Sequence, residues 1–168
     1  MSYSIYIGEA VVRWPEGDDD DNNEPWITVN GIGREVPGAP SFRGDCMTGT
    51  GNSRHPGYCA WDNFLRASSI HDLMFGTDGG LMRSHPGCFV LREQDHGAVR
   101  LALETYRSAH PDAKPGWCCC DDCSTRPMDK SDNLPHEDLD ATLARLTWLE
   151  FWIRWALDNC EHPAIYNH

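Results

Sequence analysis

Positive charge is scarce in this chain. Its 168 residues carry 14 Lys and Arg against 26 Asp and Glu, a formal net charge of −12 at pH 7. A general nucleic-acid or anionic-membrane binder needs a basic footprint, so this balance argues against both classes. A long apolar run is missing too. The densest stretch, Trp148 to Leu157, is too short to span a bilayer and is broken by Glu150 and Arg154. The opening MSYSIYIGEA has neither the basic region nor the apolar core of a signal peptide. No internal repeat, domain linker or Walker-type phosphate loop is present. These absences point to a single soluble, intracellular domain over residues 1–168, long enough to bury about 68–70% of its unfolded surface.

What is present begins with tryptophan. From Leu139 onward the apolar positions Leu143, Leu146, Trp148, Leu149, Phe151, Trp152, Ile153, Trp155, Ala156 and Leu157 leave one narrow polar stripe of Thr147, Glu150, Arg154, Asp158 and Glu161. A helix so patterned is buried on most sides, and it is expected from about Pro135 to Cys160, with Pro163 ending it. Within the stripe, Glu150–Arg154 and Arg154–Asp158 are i,i+4 pairs, expected to face solvent.

Tyr3, Ile5 and Ile7 alternate with polar residues and predict a first strand, which Val11 and Val12 prolong; Trp26 to Asn30 predicts a second. The acidic loop between them, with Asp18 to Asp21, lacks the ligand spacing of a calcium loop and reads as a solvated hairpin tip. Residues 31–57 are rich in Gly, Pro and Ser and predict irregular chain. A helix follows from about Tyr58. Ser69 to Asp72 has the form of a capping box opening the segment Ile70 to Phe75. Cys88 to Leu91 predicts a short extended piece. A further helix from Glu93 to Ala109 turns Val99, Ala102, Leu103 and Tyr106 inward, and Lys114 to Asn133 is a polar loop. The expected fold class is α+β: an N-terminal antiparallel strand pair packed on a small helical domain around a central Trp-rich C-terminal helix.

Three clusters carry candidate chemistry. Among eight cysteines, Cys120 and Cys123 have zinc-knuckle spacing, and Cys118 and His136 would complete a tetrahedral set. The alternative there is a loop of free thiols, and both readings stay open. In residues 44–58, glycine-rich backbone precedes a helix start, where Asn52, Ser53, Arg54 and His55 would meet an anion, with Tyr58 and Trp61 as walls. An ordinary glycine-rich connection is the competing reading. The third cluster, Arg83-Ser-His-Pro-Gly-Cys88, presents Arg83 and His85 on a turn of the same form as Arg54-His-Pro-Gly57. His85 beside Cys88 suggests a base and a nucleophile, but no third orienting group can be named, so a structural turn is the default and no catalytic residue is assigned.

The segments HPGYCAWDNF (55–64), GLMRSHPGC (80–88) and ARLTWLEFWIRWALDNCEHPAIYN (144–167) together resemble a group of small uncharacterised proteins of actinobacterial phages and their hosts. The resemblance covers roughly residues 55–110 and 139–167, and the cysteine cluster lies outside it. It implies a phage accessory protein acting in the host bacterial cytoplasm. Two functions of different classes follow. One is a binding protein that sequesters a small anionic, nucleotide-derived ligand, a host defence signal for example, with tryptophan and tyrosine stacking on a base and arginine holding phosphate. The other is an inhibitor whose acidic surface mimics nucleic acid and occupies a host protein. A metal-dependent or thiol enzyme is the weaker third. Zinc is the sole cofactor suggested, neither reading involves direct nucleic-acid or membrane contact, and self-association stays open.

Overall fold

A computed structural model describes residues 2–14, 24–40, 51–116 and 139–168. In chain order the elements are β1 (Ile5–Arg13), β2 (Trp26–Val29), β3 (Ser53–Arg54), α1 (Tyr58–Ala67), α2 (His71–Phe75), β4 (Gly87–Val90), α3 (Glu93–Ala109), β5 (Lys114–Pro115), β6 (Leu139–Asp140), α4 (Ala141–Asn159) and β7 (Pro163–Asn167). The fold is α+β, as expected. The Asp18–Asp21 tip, the start of the glycine-rich segment and the proposed zinc ligands Cys118, Cys120, Cys123 and His136 fall outside the described residues.

Helix α4 runs through the core. Trp148, Leu149, Trp152, Ile153 and Ala156 are buried, and the inner faces of β1 and β7 meet them with Ile5, Ile7 and Ile165. Trp61, Phe64 and Leu65 of α1 and Val99 and Leu103 of α3 complete the same cluster. The helix begins later than its sequence suggested. Leu139 and Asp140 are extended and pair in parallel with Lys114 and Pro115. Asp140 then caps the helix, accepting from Leu143 N at 2.8 Å with one oxygen and from the Tyr106 hydroxyl at 2.9 Å with the other. The polar stripe matches expectation in part: Arg154 and Asp158 pair at an exposed position, but Glu150 does not pair with Arg154. Glu150 turns to His96 of α3 at 2.8 Å, and Arg154 bonds Asp158 and, at 3.0 Å, Glu93 at the start of α3. The stripe is therefore the seam along which α3 docks.

The larger correction is β7. Pro163 does not merely stop the helix, which ends at Asn159; it opens an interior strand. Proline fits the first position of a strand because no ladder bond from its nitrogen is needed there. β7 lies between β1 and β4, antiparallel to both, with Tyr6 opposite Tyr166 and Cys88 on the other side of Tyr166. The reversal from α4 into β7 is held by the Glu9 carboxylate, which accepts from Glu161 N at 2.8 Å and from His162 N and Nδ1 at 3.0 Å each. Burial alone would raise the Glu9 carboxyl, but these donors outweigh it and hold it below its ordinary value. β3 pairs with the beginning of β1, whereas β2 pairs with its far half and also packs against β7 and β4.

Ser69 does not open α2. It lies in the left-handed region at φ 60° and closes α1 instead: Ile70 N bonds Leu65 O at 3.0 Å and Ser69 N bonds Arg66 O at 3.1 Å. This is a Schellman stop, which satisfies the last carbonyls of α1 and outcompetes the capping-box signal.

Two stability outcomes follow. Trp152→Ala should lower stability by about 3–5 kcal/mol, as for other buried large aromatics, and an unchanged melting temperature would refute burial of this face. Ser69→Gly should raise stability by about 0.5–1 kcal/mol, since glycine takes the left-handed conformation without a Cβ penalty; a chemical-denaturation midpoint that falls would show that the Ser69 side chain matters more than its φ.

Candidate functional site

The residues singled out from the two His-Pro-Gly turns separate into four groups. Asn52 and Trp61 are scaffold. Asn52 is fully buried; its amide donates to Ile7 O at 2.8 Å and Asn30 O at 2.9 Å, and its oxygen accepts from Ile32 N at 2.8 Å. It ties the chain after β2 to the middle of β1. Trp61 lies in the core against Phe64.

The two arginines do not converge. Arg54 and Ser53 form β3, where the Arg54 guanidinium bonds Ser53 O and lies 5.3 Å from the Trp148 ring centroid. Arg83 donates to Gly80 O at 3.1 Å and stacks on Phe89 at 4.4 Å. The row Arg54–Ile5–Asn167–Gly87 crosses the sheet. Three strand spacings, about 14 Å, thus separate the backbone of Arg54 from the strand that carries Phe89.

The turns themselves do meet, through Tyr58 and His85. The buried Asn167 has its oxygen 3.0 Å from His85 Nδ1, while its amide reaches Gly87 O at 3.4 Å, so Nδ1 carries the proton and donates. His85 Nε2 then accepts from the Tyr58 hydroxyl at 3.1 Å. Tyr3 closes the cluster, 4.3 Å from Tyr58 and 5.3 Å from His85 between ring centroids. Both imidazole nitrogens are engaged here, so His85 does not serve as the base of Cys88. The Cys88 thiol is itself pushed up by burial, and Cys160, beside Glu9, is pushed up by burial and that carboxylate to about 11. Neither is an activated nucleophile. Among the described residues no group of three His, Cys, Asp or Glu side chains is placed to hold a metal.

A second cluster lies on the other face of the sheet. Ile5 and Ile7 point into the core, so the residue between them, Tyr6, points out, and Tyr166 does the same between Ile165 and Asn167. Their centroids lie 6.3 Å apart, and His168 lies 6.1 Å from Tyr6 and 5.3 Å from Tyr166. His55, bonded to Ser4 Oγ at 3.2 Å, extends the patch 6.2 Å from Tyr6. β2 walls one side. With Arg13, Trp26, Thr28 and Asn30, the rings of Tyr6, Tyr166 and His168 line a depression of about 380 Å³. Arg13 donates to Asn30 Oδ1 at 2.7 Å, which orients its guanidinium there. Trp26 is 48% exposed, so its ring is accessible. Burial raises the Tyr166 phenol above its ordinary value, with Cys88 and Tyr6 adding to the shift. Of the predicted site residues only His55 borders this patch. The missed signal was one outward aromatic on each of two strands, Tyr6 on β1 and Tyr166 on β7, set opposite each other.

No family model, no curated protein and no solved structure matches the chain. Among the described residues, no helix is long and apolar enough to cross a membrane.

Exposure and protonation order the described thiols. At about pH 8, iodoacetamide should label the exposed Cys59 well before Cys88 and Cys160, whose thiols burial keeps protonated. Peptide mapping that found Cys160 labelled first would contradict this environment.

Proposed function

We propose that the protein is a binding protein that captures a small nucleotide-derived anion on the outer face of its sheet. The observation that supports this reading most is the juxtaposition, in one depression, of Tyr6, Tyr166 and Trp26 with the oriented guanidinium of Arg13. Aromatic rings exposed on a sheet offer a base a stacking surface. A guanidinium recognises phosphate through a fork of N–H donors. A net charge of −12 opposes a long polyanion, so the ligand class is a single nucleotide or cyclic nucleotide rather than a strand. In the phage setting that the sequence resemblance implies, removing a host defence signal is the use such a site has.

Calorimetry with a panel of nucleoside monophosphates, cyclic nucleotides and NAD-derived nucleotides tests the reading. Arg13→Ala should weaken binding by about 10- to 100-fold, the equivalent of one charge-assisted phosphate contact of about 1.5–3 kcal/mol. It should leave the weak binding of the bare nucleoside unchanged, whereas Tyr166→Ala should weaken both. Arg83→Ala should bind like the parent. Binding to no member of the panel, or binding sensitive to Arg83 and indifferent to Arg13, would overturn the assignment.

A further inference from the structure

Asn30 follows the last residue of β2 and lines the outer-face depression together with Arg13. Its backbone is fixed from behind. The fully buried Asn52 donates from its amide to Asn30 O at 2.9 Å and to Ile7 O at 2.8 Å, which ties the end of β2 to the middle of β1. Its side chain is fixed by Arg13, because Oδ1 accepts from Arg13 Nη2 at 2.7 Å. A guanidinium can only donate, so the atom that faces it must be the amide oxygen, and Nδ2 is turned away from it. That nitrogen carries two N–H groups, and among the described residues it bonds nothing. The surroundings are one-sided as well. No carboxylate side chain lines the depression, in a chain with 26 Asp and Glu.

From this arrangement, and resting on the nucleotide reading of that face, we infer that Asn30 decides its specificity: the site takes a terminal phosphate monoester in preference to a cyclic phosphodiester. A terminal phosphate exposes three free oxygens, whereas a diester exposes two. One N–H of Arg13 is spent on Asn30, and the others can take two phosphate oxygens as a fork. Both ligand classes offer that much. The third oxygen belongs to the monoester alone, and it needs a donor beside the guanidinium. Asn30 Nδ2 is such a donor, and it adds no charge that would favour every anion alike. Asn52 and Arg13 already hold Asn30 in place, so little conformational freedom is lost when the ligand arrives.

Calorimetry on the full chain with the 5′-monophosphates and the 3′,5′-cyclic monophosphates of the common nucleosides tests this. A 5′-monophosphate should bind about tenfold more tightly than the cyclic monophosphate of the same base, the worth of one hydrogen bond to a charged oxygen. Asn30→Ala removes the amide without changing the net charge, and it should bring the two affinities within about twofold of each other. Arg13→Ala should instead weaken both. Asn30→Asp keeps an oxygen for Arg13 but sets a carboxylate where Nδ2 stood. The order should then invert, because the more highly charged monoester is repelled more strongly. Binding of the cyclic monophosphate is the internal control, since a variant that has lost its fold loses both ligands. A preference for the monoester that survives Asn30→Ala and Asn30→Asp, with binding still dependent on Arg13, overturns this inference and leaves the nucleotide reading standing. So does a parent protein that binds both classes equally. If neither class binds, the inference falls, and if the wider panel fails as well, the nucleotide reading falls with it.

Discussion

The structure depends on one requirement: α4 must be covered on nearly every side. A helix carrying Trp148, Trp152 and Ile153 around most of its circumference cannot lie on a surface, because each buried aromatic removes about 150–250 Å² from water. Sheet, α1 and α3 are the layers that supply the cover. The few polar residues of α4 mark where the cover is thinnest, and there His96 and Glu93 of α3 meet Glu150 and Arg154. Asp140 joins the same two helices at the other end by capping α4 and receiving Tyr106.

That requirement also decides which polar and aromatic side chains stay accessible. The inner face of the sheet is used up by the core, and with it Trp61 and Arg54, which packs over Trp148. The cluster of Tyr58, His85 and Asn167 is a closed hydrogen-bonded relay that fastens the start of α1 to the end of β7. Among the described residues, no helix packs against the outer face. β2 crosses it as a wall and leaves a depression of aromatic rings with one oriented guanidinium.

Several elements were legible because their signals are local. The alternation of Ile5 and Ile7, the helical spacing of Val99, Leu103 and Tyr106, and the crowding of tryptophans in α4 each occur within one element. Where two local signals competed, the choice depended on neighbours. Ser69 suited a capping box, but Ile70 reaches back to Leu65 and makes Ser69 the left-handed stop of α1. Pro163 was read as an end because proline breaks helices. Its role as the start of an interior strand depends on β1 and β4, which lie far away in sequence.

By itself, then, the sequence determined the fold class, the burial of the tryptophan helix and the absence of a long membrane-spanning run, since periodicity, apolar content and charge are properties of short stretches. Which side chains share a site was decided only by tertiary structure. Arg54-His-Pro-Gly and Arg83-Ser-His-Pro-Gly look equivalent as strings, yet strand order places them across the sheet from each other and joins them through Tyr58 and His85 rather than through their arginines. Tyr6 and Tyr166 lie 160 positions apart in the chain, and it is their antiparallel register that makes them neighbours. Register is a long-range property: it is set by which strands pair and which faces are buried, and no local pattern carries it.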